Sequence, residues 1–206
     1  MYNKYWNILK EKPKILLITG CANSGTSWVS SCVGRHSEIN MLHEDIGYAV
    51  LKGVGKKYNA NKLVYPRQIH WYKTASRSGY LIRRLLPNGE RSRIPISKMS
   101  LWDYIQIGAK VIYVLRDPAD TIESMGRWLK YSEKQAGRDV RKNQELVAAI
   151  KMSSELKKFY IVHYERFKNE KYQELVLREI CMFLNIRFEP EMFYGSDYNW
   201  LYKGRT

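Results

Sequence analysis

Three clusters in this 206-residue chain place reactive or anion-binding side chains at informative spacings. The first is Gly20-Cys21-Ala22-Asn23-Ser24-Gly25-Thr26-Ser27, directly after the apolar run Lys14–Gly20. A strand, a glycine-bounded turn and a helix start gather backbone N–H groups about one point, at the positive end of a helix dipole. That geometry binds phosphate. The spacing matches the nucleotide phosphate loop G-x-x-x-x-G-K-[ST], except that Thr26 stands at the lysine position. Without the lysine, such a loop loses its grip on a triphosphate but keeps N–H and hydroxyl donors for a single phosphate. The plainer alternative is a strand-to-helix turn built from small residues.

The second cluster is Arg116-Asp117-Pro118-Ala119-Asp120-Thr121-Ile122-Glu123-Ser124. A guanidinium leaving a strand end and a hydroxyl two turns into the next helix can together grip a phosphate through charge-assisted contacts. The alternative pairs Arg116 with Asp120 and leaves Ser124 incidental. The third cluster is His43-Glu44-Asp45. A carboxylate near a bound anion is a stronger base than usual, and a histidine titrates near neutrality, so Glu44 and His43 both qualify as general bases. Neighbours on an extended segment point opposite ways, so only one of the two faces a shared site. Asp45 reads as structural.

The elements that would position these residues alternate. Lys14–Gly20 and Lys110–Leu115 are continuous apolar runs, as in strands buried on both faces. Ile39–Leu42, Arg93–Lys98 and Phe159–His163 are further strand candidates. Helices are expected over Thr26–Val33, Ser100–Ile107, 118–134, 139–158 and Lys171–Leu184, the last with Leu175, Ile180, Phe183 and Leu184 on one face. Asp117 and Pro118 supply an N-cap and a first helical position. Residues 52–92 read as loops and short helices. This alternation implies a single α/β domain over 1–206, with a mostly parallel central sheet flanked by helices. In such sheets ligands bind beyond the carboxyl ends of the strands. The loops at 20–25, 43–45, 98–100 and 116–117 would therefore converge.

Composition is globular, with 45% hydrophobic and 27% charged residues. No apolar run is long enough to span a bilayer, and the N-terminal residues lack a signal-peptide pattern. Cys21, Cys32 and Cys181 have no zinc-ribbon spacing and suit reduced thiols, so a cytoplasmic location is expected. No His/Cys/Asp cluster has metal-ligand spacing. The net charge of +15 calls for a polyanionic partner.

Taken together, Ser24-Gly25-Thr26-Ser27-Trp28-Val29-Ser30 and Arg116-Asp117-Pro118-x-Asp120-x-x-x-Ser124 resemble the sulfotransferases that use 3′-phosphoadenosine-5′-phosphosulfate (PAPS). Val162-His163-Tyr164-Glu165-Arg166-Phe167, followed by Phe183-Leu184-Asn185-Ile186 and Phe188, is similar to a third family stretch. The likeness covers residues 14–45 and 93–192, leaving 52–92 as an acceptor-side insertion. It implies a phosphate-loop nucleotide-binding fold and release of 3′,5′-ADP. It also implies that Asn23, Ser24, Gly25, Thr26 and Ser27 hold the 5′-phosphosulfate, that Trp28 lies against the adenine, and that Arg116 and Ser124 grip the 3′-phosphate. Tyr164 matches a tyrosine near the adenine, and Lys203-Gly204 a basic element at the 3′-phosphate. Asn23 departs from the family's usual Lys or Arg, so charge on the bridging oxygen must be met elsewhere. Lys98 matches a second family lysine serving that region. Ser100 occupies the place of the histidine base of the small-molecule enzymes. Glu44, 21 positions after Asn23, matches the glutamate base of the tyrosylprotein branch.

The resemblance thus implies a metal-free, in-line transfer of a sulfuryl group to an acceptor hydroxyl. A carbohydrate is the first acceptor and a small alcohol or phenol the second. Glu44 is the preferred base, with His43 and then His70 behind it. Trp28 as a core aromatic and Lys98 as a solvated lysine are the competing assignments. Two other functions compete. A phosphate-loop kinase of small molecules or nucleosides accounts for the loop but not for Thr26. A nucleic-acid-binding protein would use Lys73, Arg77, Arg83, Arg84, Arg91, Arg93 and Lys98 with the interleaved Tyr72 and Tyr80. We favour an anionic acceptor for that basic segment.

Overall fold

The computed structural model describes residues 14–52, 55–71 and 97–193. Within them lies a five-stranded, all-parallel sheet of order β2-β3-β1-β4-β5. Its strands are β1 (Lys14–Cys21), β2 (Ile39–His43), β3 (Tyr58–Tyr65), β4 (Lys110–Leu115) and β5 (Phe159–His163). The helices are α1 (Thr26–Val33), α2 (Leu101–Gln106), α3 (Pro118–Leu129), α4 (Glu133–Lys151), α5 (Tyr164–Lys168) and α6 (Glu170–Leu184).

Burial explains the apolar runs. In β1, Ile15 and Leu17 face a core layer with Leu101, Tyr104 and Ile105 of α2 and Leu146, Val147 and Ile150 of α4. Leu16 and Ile18 face the opposite layer, with Val29 and Val33 of α1 and Val176, Leu177 and Ile180 of α6. Strand alternation makes both faces of β1 inward, so no polar side chain interrupts the run before Thr19. The chain leaves β1 towards one face and leaves β3 and β4 towards the other. That divergence opens a crevice at the carboxyl end of β1.

The structure corrects several expectations. The stretch 52–92 contains β3, which lies between β2 and β1 and is almost wholly buried. Its sequence, YNANKLVY, conceals this because Asn59, Asn61 and Lys62 are buried polar residues. Each is satisfied internally: Asn59 donates to the Lys52 carbonyl, Asn61 to the Asp45 carbonyl, and Lys62 to Glu44. A hydrogen-bonded amide can occupy a strand interior that an unpaired one cannot. The break between α3 and α4 falls earlier than expected, since Lys130 is left-handed (φ 53°) and Ser132 forms a capping box with Gln135. In α6, Leu175 is exposed, while Gln173, Val176 and Cys181 join the buried face. Ser97–Ser100 carries no strand; residues 93–96 of that expected strand, and Lys203-Gly204, lie outside the described residues.

Gly20 shows how tightly β1 and β4 approach. A Cβ there would press on the Val114 carbonyl and come within 2.8 Å of Ser24 Oγ. Because the obstructing carbonyl is backbone inside a sheet, it has nowhere to move. Gly20→Ala should therefore destabilise the fold by about 1–3 kcal/mol, the usual range for overpacking. Urea unfolding with an unchanged m-value would register this as a lower midpoint.

Candidate functional site

The loop after β1 is shaped by two left-handed residues, Asn23 (φ 59°) and Gly25 (φ 93°). Asparagine and glycine are the residues that tolerate this region best. Ser24 N–H closes the turn on the Cys21 carbonyl at 3.1 Å. Gly25 caps α1, and no side chain accepts a hydrogen bond from the first turn of that helix. By contrast, α2, α3, α4 and α6 all carry side-chain caps. Ser24 Oγ is buried with no hydrogen-bond partner, which in a native fold calls for an external one. A helix start without a side-chain cap, beside an orphaned hydroxyl, suits an anion.

Arg116 reaches this loop. Its Nη1 donates to the Asn23 carbonyl at 3.0 Å, and its guanidinium lies 4.9 Å from the Tyr164 ring centroid. Asp120 Oδ2 is 3.9 Å from Nη2, at the limit of an ion pair, while the Arg116 side chain is 20% exposed. Arg116 Nε is buried and unpartnered. Asn23 Nδ2 donates to the Ser124 carbonyl at 2.9 Å. One asparagine therefore ties the loop down twice, through its carbonyl to Arg116 at the end of β4 and through its amide to Ser124 on α3. This gives Asn23 a structural task that a lysine or arginine at the same place would perform less well.

Aromatic rings wall this side. A Cβ on Gly25 would collide with the Tyr164 ring, so Tyr164 rests on the loop. Trp28 meets Tyr164 edge-on at 6.1 Å and Phe167 at 5.3 Å. Trp28 is thus partly a packing residue, as its competing assignment held. Thr26 is buried in the first turn of α1, and the Ser27 carbonyl accepts from Ser30 Oγ at 3.0 Å. On the α4 side of the loop, a cavity of about 530 Å³ is lined by Ser24, Arg116, Thr121, Asn143, His163 and Glu165.

Across the crevice, at the end of β2, Glu44 is left-handed (φ 58°) rather than extended. Its Oε1 lies 2.6 Å from Lys62 Nζ and its Oε2 accepts from Gln68 Nε2 at 2.7 Å. His43 is exposed at the strand end; partial desolvation first, and the Lys62 charge second, lower its pKa from the usual value. It is therefore neutral at physiological pH. Asp45 accepts from Gly47 and Ala49 N–H, as a structural residue would. Lys98 lies in a bend with its N–H on the Ile46 carbonyl and its ammonium 5.5 Å from the Tyr48 ring centroid. Ser100 caps α2 through Asp103 N–H. The His70 carbonyl accepts from Leu101 N–H at 2.8 Å.

Asn23 through Trp28, Arg116, Ser124 and Tyr164 thus form one contiguous cluster, and His43 and Glu44 form a second. Lys98 contacts neither through any described side chain. Sequence reasoning missed Lys62, whose only signal was its place in YNANKLVY, and Gln68, which follows that strand. It also missed Arg67, whose guanidinium lies 5.0 Å from the Tyr131 ring centroid and whose Nε is buried without a partner. Among the described residues, no group of three or more His, Cys, Asp or Glu side chains is placed to hold a metal ion.

No family model and no curated protein matches the sequence. Solved structures do match. The sulfotransferase domain from the curacin biosynthetic pathway aligns with a TM-score of 0.54 at 16% identity, covering 91% of this chain and 80% of that one. Mouse sulfotransferase SULT7A1 complexed with PAP gives 0.55 at 16% identity, over 91% of this chain and 64% of that one. A sulfotransferase from Alicyclobacillus acidocaldarius gives 0.50 at 17% identity, over 92% and 88%. The chain has the sulfotransferase fold. Within that fold the Asn23 tie is local and testable. Asn23→Ala removes the amide bond to Ser124 and leaves a left-handed alanine, so about 1–3 kcal/mol of stability should be lost. Asn23→Gly should lose less, because glycine adopts the same backbone freely. Chemical denaturation of both variants measures the difference.

Proposed function

We propose that the chain is a PAPS-dependent sulfotransferase that transfers a sulfuryl group to an acceptor hydroxyl, with a carbohydrate as the first candidate and a small alcohol or phenol as the second. The supporting observation is the Asn23 junction, which joins two anion-binding elements into one unit. The first is the 23–27 loop, with its uncapped helix start and orphaned Ser24 Oγ. The second is Arg116 with Ser124, whose guanidinium keeps a buried, unpartnered Nε. Two anion grips fit a nucleotide carrying phosphate at two places. The mouse neighbour is itself complexed with PAP.

In this reading the loop N–H groups and Ser24, Thr26 and Ser27 hold the 5′-phosphosulfate, Arg116 and Ser124 hold the 3′-phosphate, and Trp28 and Tyr164 border the adenine. Glu44 accepts the proton of the acceptor hydroxyl as the oxygen–sulfur bond forms. The bond from sulfur to the bridging oxygen breaks, and 3′,5′-ADP leaves with its electron pair. Preorganised N–H donors at the helix start meet the charge that develops there, and no step calls for a metal. Asn23 is committed to α3, so the positive charge expected at its place comes from another group. Lys98 is the candidate for that task, since the Lys62 ammonium is buried and engaged by Glu44. The three free, buried cysteines suit a reducing cytoplasm, and no described helix is long and apolar enough to cross a membrane.

Calorimetry tests the donor site. The protein should bind 3′,5′-ADP more tightly than 5′-AMP, and should prefer metal-free 3′,5′-ADP to ATP with Mg²⁺. Arg116→Ala should weaken the bisphosphate by about 10- to 100-fold, the loss of a charge-assisted contact, while AMP binding changes far less. Equal losses for both ligands would sink the assignment of Arg116 to the 3′-phosphate.

Turnover tests the base. With labelled PAPS and a working acceptor, Glu44→Gln should lower kcat by roughly 100- to 10,000-fold and leave donor affinity nearly unchanged. His43→Asn should be comparatively mild. The reverse pattern would move the role to His43.

A further inference from the structure

Glu44 is pinned more firmly than a group at an open crevice needs to be. Both carboxylate oxygens are engaged, by Lys62 Nζ at 2.6 Å and Gln68 Nε2 at 2.7 Å. Both partners are themselves held. The Lys62 side chain is 6% exposed and leaves β3 directly opposite His43 in the strand register. Gln68 is buried, and its Oε1 accepts from Val64 N–H at 2.9 Å, which turns its NH₂ towards Glu44. The Glu44 backbone is fixed as well, since its N–H donates to the Lys62 carbonyl at 2.8 Å. The Glu44 side chain is itself 48% exposed, so the convergence comes from buried partners reaching out to an open carboxylate.

We infer that Lys62 and Gln68 are a positioning pair that orients the Glu44 carboxylate and keeps it ionised. The role of Glu44 as base rests on the function proposed above; the clamp itself does not. A dry ammonium against one oxygen and an amide N–H against the other both favour the charged form. Protonating Glu44 strips Lys62 of its partner, which is costly for a buried cation. The carboxylate therefore stays ionised to lower pH than an unclamped one, and is a weaker but always available base. The sign follows directly. Activity that needs ionised Glu44 is full above its depressed pKa and is lost as the pH falls through it.

The other charged or titratable groups near Glu44 among the described residues do not replace Lys62. His43 on β2 resists protonation because of partial desolvation and of Lys62 itself. Asp45 is turned to the Gly47 and Ala49 N–H groups. Lys98 sits over Tyr48, and the Tyr104 hydroxyl of α2 meets Asn61 at 3.1 Å, with its pKa pushed well up by burial.

The test is a carbon-13 NMR titration of the full chain carrying labelled glutamate, with the Glu44 signal assigned by its loss in Glu44→Gln. In the wild type, Glu44 should titrate below the ordinary glutamate value of about 4.3. In Lys62→Met the midpoint should rise by about one pH unit or more. Lys62→Arg should hold it down, and Gln68→Ala should raise it by a smaller amount. The Gln68 variant leaves the buried ion pair in place, so it keeps the test alive if Lys62→Met does not fold. An unchanged midpoint in Lys62→Met, or in Gln68→Ala where only that variant folds, overturns the clamp. With a working acceptor, the acid limb of kcat against pH should move up in step with the NMR midpoint. A shifted midpoint alongside full turnover of Glu44→Gln would leave the clamp standing and overturn the base role alone.

Discussion

Everything at the carboxyl end of the sheet depends on how Asn23 is held. Its left-handed backbone lets the loop after β1 double back, and its two polar groups then fasten that loop to Arg116 and to Ser124 on α3. A hydrogen bond from an arginine and one to a backbone carbonyl are each worth only about 1–3 kcal/mol. Their importance lies in what they join. The loop belongs to the first strand and helix, while Arg116 follows the fourth strand and Ser124 lies on the third helix. Without the junction the loop and the Arg116–Ser124 segment would be free to drift apart, and the geometry between them would be lost.

The site is also divided electrostatically. On one side of the crevice the donors are backbone N–H groups, hydroxyls and a guanidinium, all suited to a fixed anion. On the other side a carboxylate is held between a lysine and an amide. The buried lysine does two things for the fold as well. It ends the parallel pairing of β3 with β2 in a charged contact, and it leaves the end of β2 tied to β3 by a side chain as well as by the backbone.

Much of this was legible in the sequence, for a clear physical reason. β1, β4, α1 and the cap at Asp117 are governed by local rules: continuous burial, helix capping and glycine freedom. β3 was not legible because its polarity is satisfied by partners far along the chain. Asn61 reaches Asp45 and Tyr104, and Lys62 reaches Glu44. No local pattern announces that a buried amide will find its acceptor. Missing β3 meant missing Lys62 and its contact with Glu44. The orientation of Glu44 was misread for a related reason. Treating 43–45 as extended made His43 and Glu44 mutually exclusive, whereas the positive φ at Glu44 breaks that alternation.

The contact between Tyr164 and Gly25 carries one more consequence. Position 25 is restricted twice, by a backbone angle that disfavours side chains and by a ring that fills the space a Cβ would need. Tyr164 in turn stacks on Arg116 and meets the edge of Trp28. Drift at any one of these four positions therefore changes the room available to the others. Among descendants of this sequence, residues 25, 28, 116 and 164 should vary together or not at all, however far apart they stand along the chain.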